Sequence, residues 1–176
     1  MQAQGARIYG VVGWKNAGKT TLVERLVAEI SARGYTVSTL KHTHHLVDLD
    51  RPGKDSHRHR EAGAHQVVLA SSARWALMTE LRGAQEPPLE GLIEHLDPVD
   101  IVVVEGWKRD RHPKVEAWRA ETGQPLIAAD DPTVRAVASN DRPPEGHSRP
   151  VIPLDDIAAI ADFVLADLGM AVRRPA

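Results

Sequence analysis

Short apolar runs and amphipathic stretches alternate along this chain, and that alternation predicts an α/β fold. Ile8-Tyr9-Gly10-Val11-Val12 is a compact apolar run that reads as a buried strand. Thr21 to Arg33 then places Leu22, Val23, Leu26, Val27 and Ile30 on one helical face, and Gly34 follows as its stop. Thr36-Val37-Ser38-Thr39-Leu40 alternates as a second strand. Strand, helix and strand in that order predict a right-handed unit with parallel strands.

The later pattern is shorter in its pieces. Ser56 is placed to cap a helix through Glu61 that ends near Gly63. Gln66-Val67-Val68-Leu69-Ala70 and Arg74 to Glu80 read as two strands, and the short link between them predicts an antiparallel pair. Trp75 there suits a core position, a dimer contact or a base-stacking role, core or interface first. Leu92, Ile93 and Leu96 fit a short helix ended by Pro98. Ile101-Val102-Val103-Val104 is apolar on both faces, the signature of a central parallel strand. Lys114 to Arg119, Leu126-Ile127-Ala128 and Val134 to Ala138 are read as three further strands. Asp155 is read as the N-cap of a last helix whose stripe is Ile157, Ile160, Ala161, Val164, Leu165 and Leu168.

Composition narrows the class. At 176 residues and 42% hydrophobic content the chain can build one core of ordinary size, so one domain over residues 1–176 is expected. A net charge of −2 argues against a general nucleic-acid binder. The absence of cysteine excludes disulfides and thiolate metal sites. Met1 to Arg7 lacks the apolar core of a signal peptide, and no apolar run approaches the ~20 residues of a membrane span. A cytoplasmic protein without membrane contact is the expectation.

The chemistry begins between the first strand and the first helix. Gly13-Trp14-Lys15-Asn16-Ala17-Gly18-Lys19-Thr20 fits the phosphate-binding loop, glycine, four residues, then Gly-Lys-Thr. Its strand-before, helix-after context is the one the motif requires. Gly13 and Gly18 let the main-chain N–H groups turn inward as a nest for phosphate oxygens. Asn16, Ala17 and Thr21 complete the loop. Lys19 is assigned to the β- and γ-phosphates and the Thr20 hydroxyl to Mg²⁺. Glu105, at the carboxyl end of the buried Ile101–Val104 run, stands where a Walker B carboxylate belongs, and Gly106 lets its N–H approach the γ-phosphate. Glu105 either binds Mg²⁺ or orients the attacking water. Lys108 is a candidate to neutralise phosphate.

Two polar stretches keep alternatives open. From Arg51 to Arg60 the chain is basic by three, which suits either an anionic ligand or a solvated loop. His42, His44, His45, His57 and His59 fall close together without the spacing of a structural zinc site. Asn140 and Asp141 follow a late strand, where a carboxylate can accept guanine N1–H and N2–H₂, but the same letters also make a plain turn.

Taken together, five segments resemble the MobB family of molybdopterin-guanine dinucleotide biosynthesis proteins over nearly the whole length. They are Gly13 to Thr21, Lys41-His42-Thr43-His44-His45, Pro52-Gly53-Lys54-Asp55-Ser56, Arg74 to Glu80, and Val104-Glu105-Gly106-Trp107-Lys108. The resemblance implies a P-loop NTPase, which suits the fold read above, a mostly parallel sheet flanked by helices with an added antiparallel strand pair. It implies GTP and Mg²⁺ as cofactors, weak GTPase activity and a homodimer. It implies an adapter role beside MobA, the molybdenum cofactor guanylyltransferase, with molybdopterin near at hand. By the same resemblance Asp55 is a second metal or phosphate-side candidate, and Asn140 takes the late acidic position of relatives with Asp141 next to it. Trp107 stands where family members commonly have Phe. Two other functions fit the same loop: a small-molecule kinase, and a nucleotide-gated metal carrier that uses the histidines.

Overall fold

The computed structural model describes residues 7–43, 50–144 and 148–174. Residues Met1–His42 with Leu89–Ala176 form one compact unit, and Thr43–Pro88 form a second.

In the first unit six strands make one sheet in the order β2-β5-β1-β6-β7-β8, every neighbouring pair parallel. The strands are β1 Arg7–Val12, β2 Val37–Lys41, β5 Ile101–Glu105, β6 Lys114–Ala117, β7 Val134–Ala138 and β8 Val151–Ile152. The β-branched run of β5 lies between β2 and β1 and is buried along its whole length, as an apolar strand with two covered faces must be. β1 and β2 are parallel as expected, but β5 is inserted between them.

Helix α1, Lys19–Ala32, turns Leu22, Val23, Leu26 and Ile30 onto the sheet. Helix α4, Ile157–Asp167, adds Ile160, Ala161, Val164 and Leu165 to the same core. Arg33 follows α1 with its side chain fully buried, and its guanidinium pairs with Glu29 at 2.8 Å and Asp162 at 2.5 Å, joining α1 to α4. The opposite sheet face is covered by the short helix α3, Leu89–Ile93, where Leu89 and Ile93 meet Ile8, Val102 and Val104.

Two sequence expectations change here, and one strand is added. Leu126-Ile127-Ala128 does not form a strand: Ile127–Ala129 is a single 3₁₀ turn. The reason is the fully buried Glu116 of β6, whose carboxylate accepts from Ile127 N at 2.9 Å and Ala128 N at 2.8 Å. Asp155 is not the cap of α4. Asp156 is, accepting from Ala159 N at 3.0 Å. The two-residue β8 is too short to give a sequence period, so it was not expected.

The second unit holds helix α2, Asp55–Glu61, and the antiparallel pair β3 Gln66–Ala70 and β4 Trp75–Thr79. The pair matches the sequence reading. Ser56, however, lies inside the first turn of α2, where its hydroxyl donates to Asp50 Oδ1 at 2.8 Å and caps nothing. Arg60 bridges Asp50 at 3.1 Å and Glu80 at 2.8 Å, tying the helix to the end of the hairpin.

Candidate nucleotide site

The site grows from the carboxyl ends of β1 and β5, where ligands bind in open parallel sheets. β1 ends at Val12, and the chain turns at Gly13 with φ 150°. A Cβ at Gly13 would lie 2.5 Å from the Ala117 carbonyl oxygen at the end of β6, so the backbone itself demands glycine. The loop then passes Asn16 at φ 66° and Gly18 at φ 93° into α1. No side chain caps the start of α1 and no acidic residue occupies its first turn. Its amino end therefore keeps N–H groups and positive dipole for an anion.

Lys19 curls back over the loop and donates to the Trp14 carbonyl at 2.8 Å. Its ammonium thus sits inside the nest. Burial lowers its pKa, the Lys108 ammonium and, more weakly, Lys41 push the same way, and Glu105 opposes them. Trp14 is fixed in turn by its indole N–H on the Pro125 carbonyl at 2.7 Å, and the Lys108 ammonium lies 3.9 Å over its ring. Burial lowers the Lys108 pKa as well, with Glu116 opposing. In the same network burial raises the Glu116 carboxyl, against its two backbone hydrogen bonds and Lys108.

β5 delivers Glu105, which is buried. The Thr20 hydroxyl donates to Glu105 Oε1 at 2.9 Å. A hydroxyl and a carboxylate are hard oxygen donors, the set Mg²⁺ prefers, so these residues fit the ion that the loop motif implies. Beyond Glu105 the backbone stays tied to the sheet: Gly106 N donates to Val11 O at 3.1 Å and His42 N to Glu105 O at 2.9 Å. A Cβ on Gly106, at φ 103°, would come within 3.0 Å of His42 Cβ. The His42 and Trp107 ring centroids lie 4.9 Å apart beside this turn, their planes tilted by 45°.

A pocket of about 160 Å³ opens next to the loop, lined by Arg119, Glu121, Asn140, Asp141 and Leu154. Arg119 and Leu154 are also the nearest atoms to a Cβ built on Gly18, which places the pocket against the start of α1. Asp141 Oδ2 accepts from Ala120 N at 2.8 Å, and the Asp141 N–H donates to Ser139 Oγ at 3.0 Å. Asn140 is committed elsewhere: its amide donates to Asp155 Oδ2 at 2.6 Å and accepts from Asp155 N at 3.3 Å.

Gly13, Asn16, Ala17, Gly18, Lys19, Thr20, Thr21, Glu105, Gly106 and Lys108 therefore surround one loop, with Asn140 and Asp141 at the adjoining pocket. Asp55 is exposed at the first position of α2 in the second unit. His44 and His45 lie outside the described residues. Among the described residues no three His, Cys, Asp or Glu side chains gather as a metal cluster, and no helix is long and apolar enough to cross a membrane. Lys41, Trp14 and Arg119 were not singled out for the site from sequence. Lys41 and Arg119 each follow or end a strand of the sheet, and that position is the signal that could have found them.

The family model described as molybdopterin guanine dinucleotide synthesis protein B matches residues 8–140. The chain is 41% identical over 159 residues to the molybdopterin-guanine dinucleotide biosynthesis adapter protein of Haemophilus influenzae, covering 89% of this chain and 86% of that protein. It is 39% identical over 155 residues to the protein of the same name from Escherichia coli, covering 86% and 87%. The crystal structure of Bacillus subtilis MobB is similar with a TM-score of 0.72 at 27% identity, over 92% of this chain and 98% of that one.

Proposed function

The chain belongs to the molybdopterin guanine dinucleotide synthesis protein B family, and from that membership we propose that it is a GTP-binding adapter in the assembly of the guanine dinucleotide form of the molybdenum cofactor, with slow Mg²⁺-dependent hydrolysis of the nucleotide. The observation that carries the proposal is the bonded pair Thr20 and Glu105 at the lip of a glycine loop that already holds the Lys19 ammonium. In this reading the loop amides and Lys19 bind the β- and γ-phosphates. Thr20 and Glu105 hold Mg²⁺, which offsets phosphate charge. Lys108 adds a second ammonium to that of Lys19, while Gly106, expected to offer its N–H to the γ-phosphate, spends that N–H on the Val11 carbonyl at 3.1 Å and serves instead as the glycine turn after Glu105. Asp141 in the pocket accepts the guanine N–H groups. Glu105 is engaged by Thr20, which leaves it poorly placed as a free base, so slow turnover is expected.

The working partner in this reading is a MobA-type guanylyltransferase, because the named relatives are adapters in that synthesis. Calorimetric titration of GTP·Mg²⁺ and ATP·Mg²⁺, with and without the guanylyltransferase, tests it. GTP is expected to bind at least about tenfold more tightly than ATP, about 1.4 kcal/mol, and to promote the complex. Equal binding of ATP, or no complex in any nucleotide state, overturns it. Free phosphate as the only product separates this reading from a kinase, which would phosphorylate an acceptor.

We also assign the homodimer contact to the β3–β4 hairpin. Val68, Trp75 and Leu77 share one face of the pair, and Trp75 is 64% exposed there. Contiguous exposed apolar side chains with an aromatic anchor are what association surfaces present. Trp75→Glu is expected to convert a dimer to a monomer in sedimentation at micromolar protein, with the far-ultraviolet circular dichroism unchanged. A wild-type chain already monomeric there rules the contact out.

A further inference from the structure

Lys41 does not belong to the phosphate-loop pattern, yet it reaches the metal-binding pair. It is the last residue of β2 and lies opposite Glu105 in the β2–β5 register. Its ammonium donates to Thr20 Oγ1 at 3.2 Å and stands 3.2 Å from Glu105 Oε1. Thr20 Oγ1 and Glu105 Oε1 are themselves 2.9 Å apart. One nitrogen thus touches both oxygens assigned to Mg²⁺.

We propose that the Lys41 ammonium occupies the cation position of the nucleotide-free protein, excludes a divalent ion that arrives alone, and gives way to the ion that arrives with nucleotide, swinging to the terminal phosphate. The proposal rests on the nucleotide and Mg²⁺ reading above. Three observations support it. Glu105 has a side chain only 9% exposed, and a buried carboxylate needs a counter-charge. Lys41 supplies one while 56% of its own side chain stays exposed, so its stem can swing with little loss of packing. Finally, three ammoniums gather at the nest: Lys41 on Thr20 Oγ1, Lys19 on the Trp14 carbonyl, and Lys108 at 3.9 Å over the Trp14 ring. A divalent ion added to three ammoniums meets repulsion, whereas a triphosphate brings the negative charge that lets ion and ammoniums coexist. Lys41 thereby couples metal entry to nucleotide entry.

The test titrates Mn²⁺ alone into the nucleotide-free protein, reading bound ion by electron paramagnetic resonance, and then titrates GTP·Mg²⁺ by calorimetry. Lys41→Met is expected to bind Mn²⁺ about tenfold more tightly than wild type and GTP·Mg²⁺ about tenfold more weakly. Lys41→Arg keeps the positive charge and is expected to exclude Mn²⁺ as wild type does. Unchanged or weaker Mn²⁺ affinity in a folded Lys41→Met, or an arginine variant that behaves like methionine, overturns the proposal. A wild type that binds no GTP·Mg²⁺ while Lys41→Met gains Mn²⁺ affinity would instead sink the nucleotide reading and leave the cation-exclusion role of Lys41 standing.

Discussion

Lys19→Ala is expected to weaken GTP·Mg²⁺ binding at least about 100-fold while leaving the nucleotide-free protein as stable as wild type or slightly more so. The loss follows from removing charge-assisted bonds to two phosphates, each worth roughly 1.5–3 kcal/mol. The stability follows from the site's electrostatics. In the nucleotide-free fold the Lys19 ammonium is partly buried, and Lys108 and Lys41 repel it, so its pKa is held below the ordinary lysine value. Its hydrogen bond goes to the loop's own Trp14 carbonyl, not to a carboxylate. Alanine removes an unfavourable charge together with that single bond. Calorimetry and a thermal melt read the two effects separately. A variant that binds GTP normally would remove Lys19 from the site, and a large fall in melting temperature would make it a structural lysine instead.

The elements that position this site were legible because each is local. The Gly13 to Thr20 motif, the helical stripe of α1 and the four β-branched residues of β5 need no knowledge of their neighbours. The β3–β4 pair was legible for the same reason, as two alternating runs with a short link. What escaped the sequence depends on distant partners. Leu126-Ile127-Ala128 has strand-like letters, but Glu116, ten or so residues upstream, draws its N–H groups into a 3₁₀ turn. Asp155 and Asp156 are equally good caps by type. The choice falls to Asp156 because Asp155 is held by Asn140, at 2.6 Å to its carboxylate, and by Arg25, which donates to its carbonyl at 2.7 Å. Lys41 was visible only as part of a polar segment. Its relation to Thr20 exists because β2 lies beside β5, an adjacency that strand order along the chain does not reveal.

The same dependence on sheet order explains how the proposed nucleotide and metal roles divide. β1 and β5 bring the loop and Glu105 together, β2 adds Lys41 on one side, and β6 and β7 carry Arg119 and Asp141 on the other. The loop end of the candidate site is crowded with lysine, while the pocket beyond Gly18 mixes Arg119 with Glu121 and Asp141. A ligand that spans both must be anionic at one end and offer hydrogen-bond donors at the other. A guanine nucleotide has that polarity.

That polarity makes Asp141 the residue on which base choice should turn, and Asp141→Asn is expected to exchange GTP preference for xanthosine triphosphate. Guanine presents N1–H and N2–H₂ donors to a carboxylate, whereas xanthine presents a carbonyl at the second position and needs a donor there. The backbone settles which end of the new amide is available. Ala120 N donates to Asp141 Oδ2 at 2.8 Å, so the asparagine oxygen is expected to keep that bond and accept xanthine N1–H with its second lone pair, while its NH₂ donates to the xanthine 2-carbonyl. Asp141 is exposed until a base covers it, and a donor then left against a donor commonly rejects the old ligand by about 100-fold or more. The expected result is a loss of that order for GTP and a gain of similar size for xanthosine triphosphate. Asn140→Ala is the control. Its amide is paired both ways with Asp155, so it should loosen the segment before α4 without altering the ratio of the two nucleotides. If the ratio moves with Asn140 and stays fixed with Asp141, base recognition belongs to the first residue, and Asp141 serves only to brace Ala120.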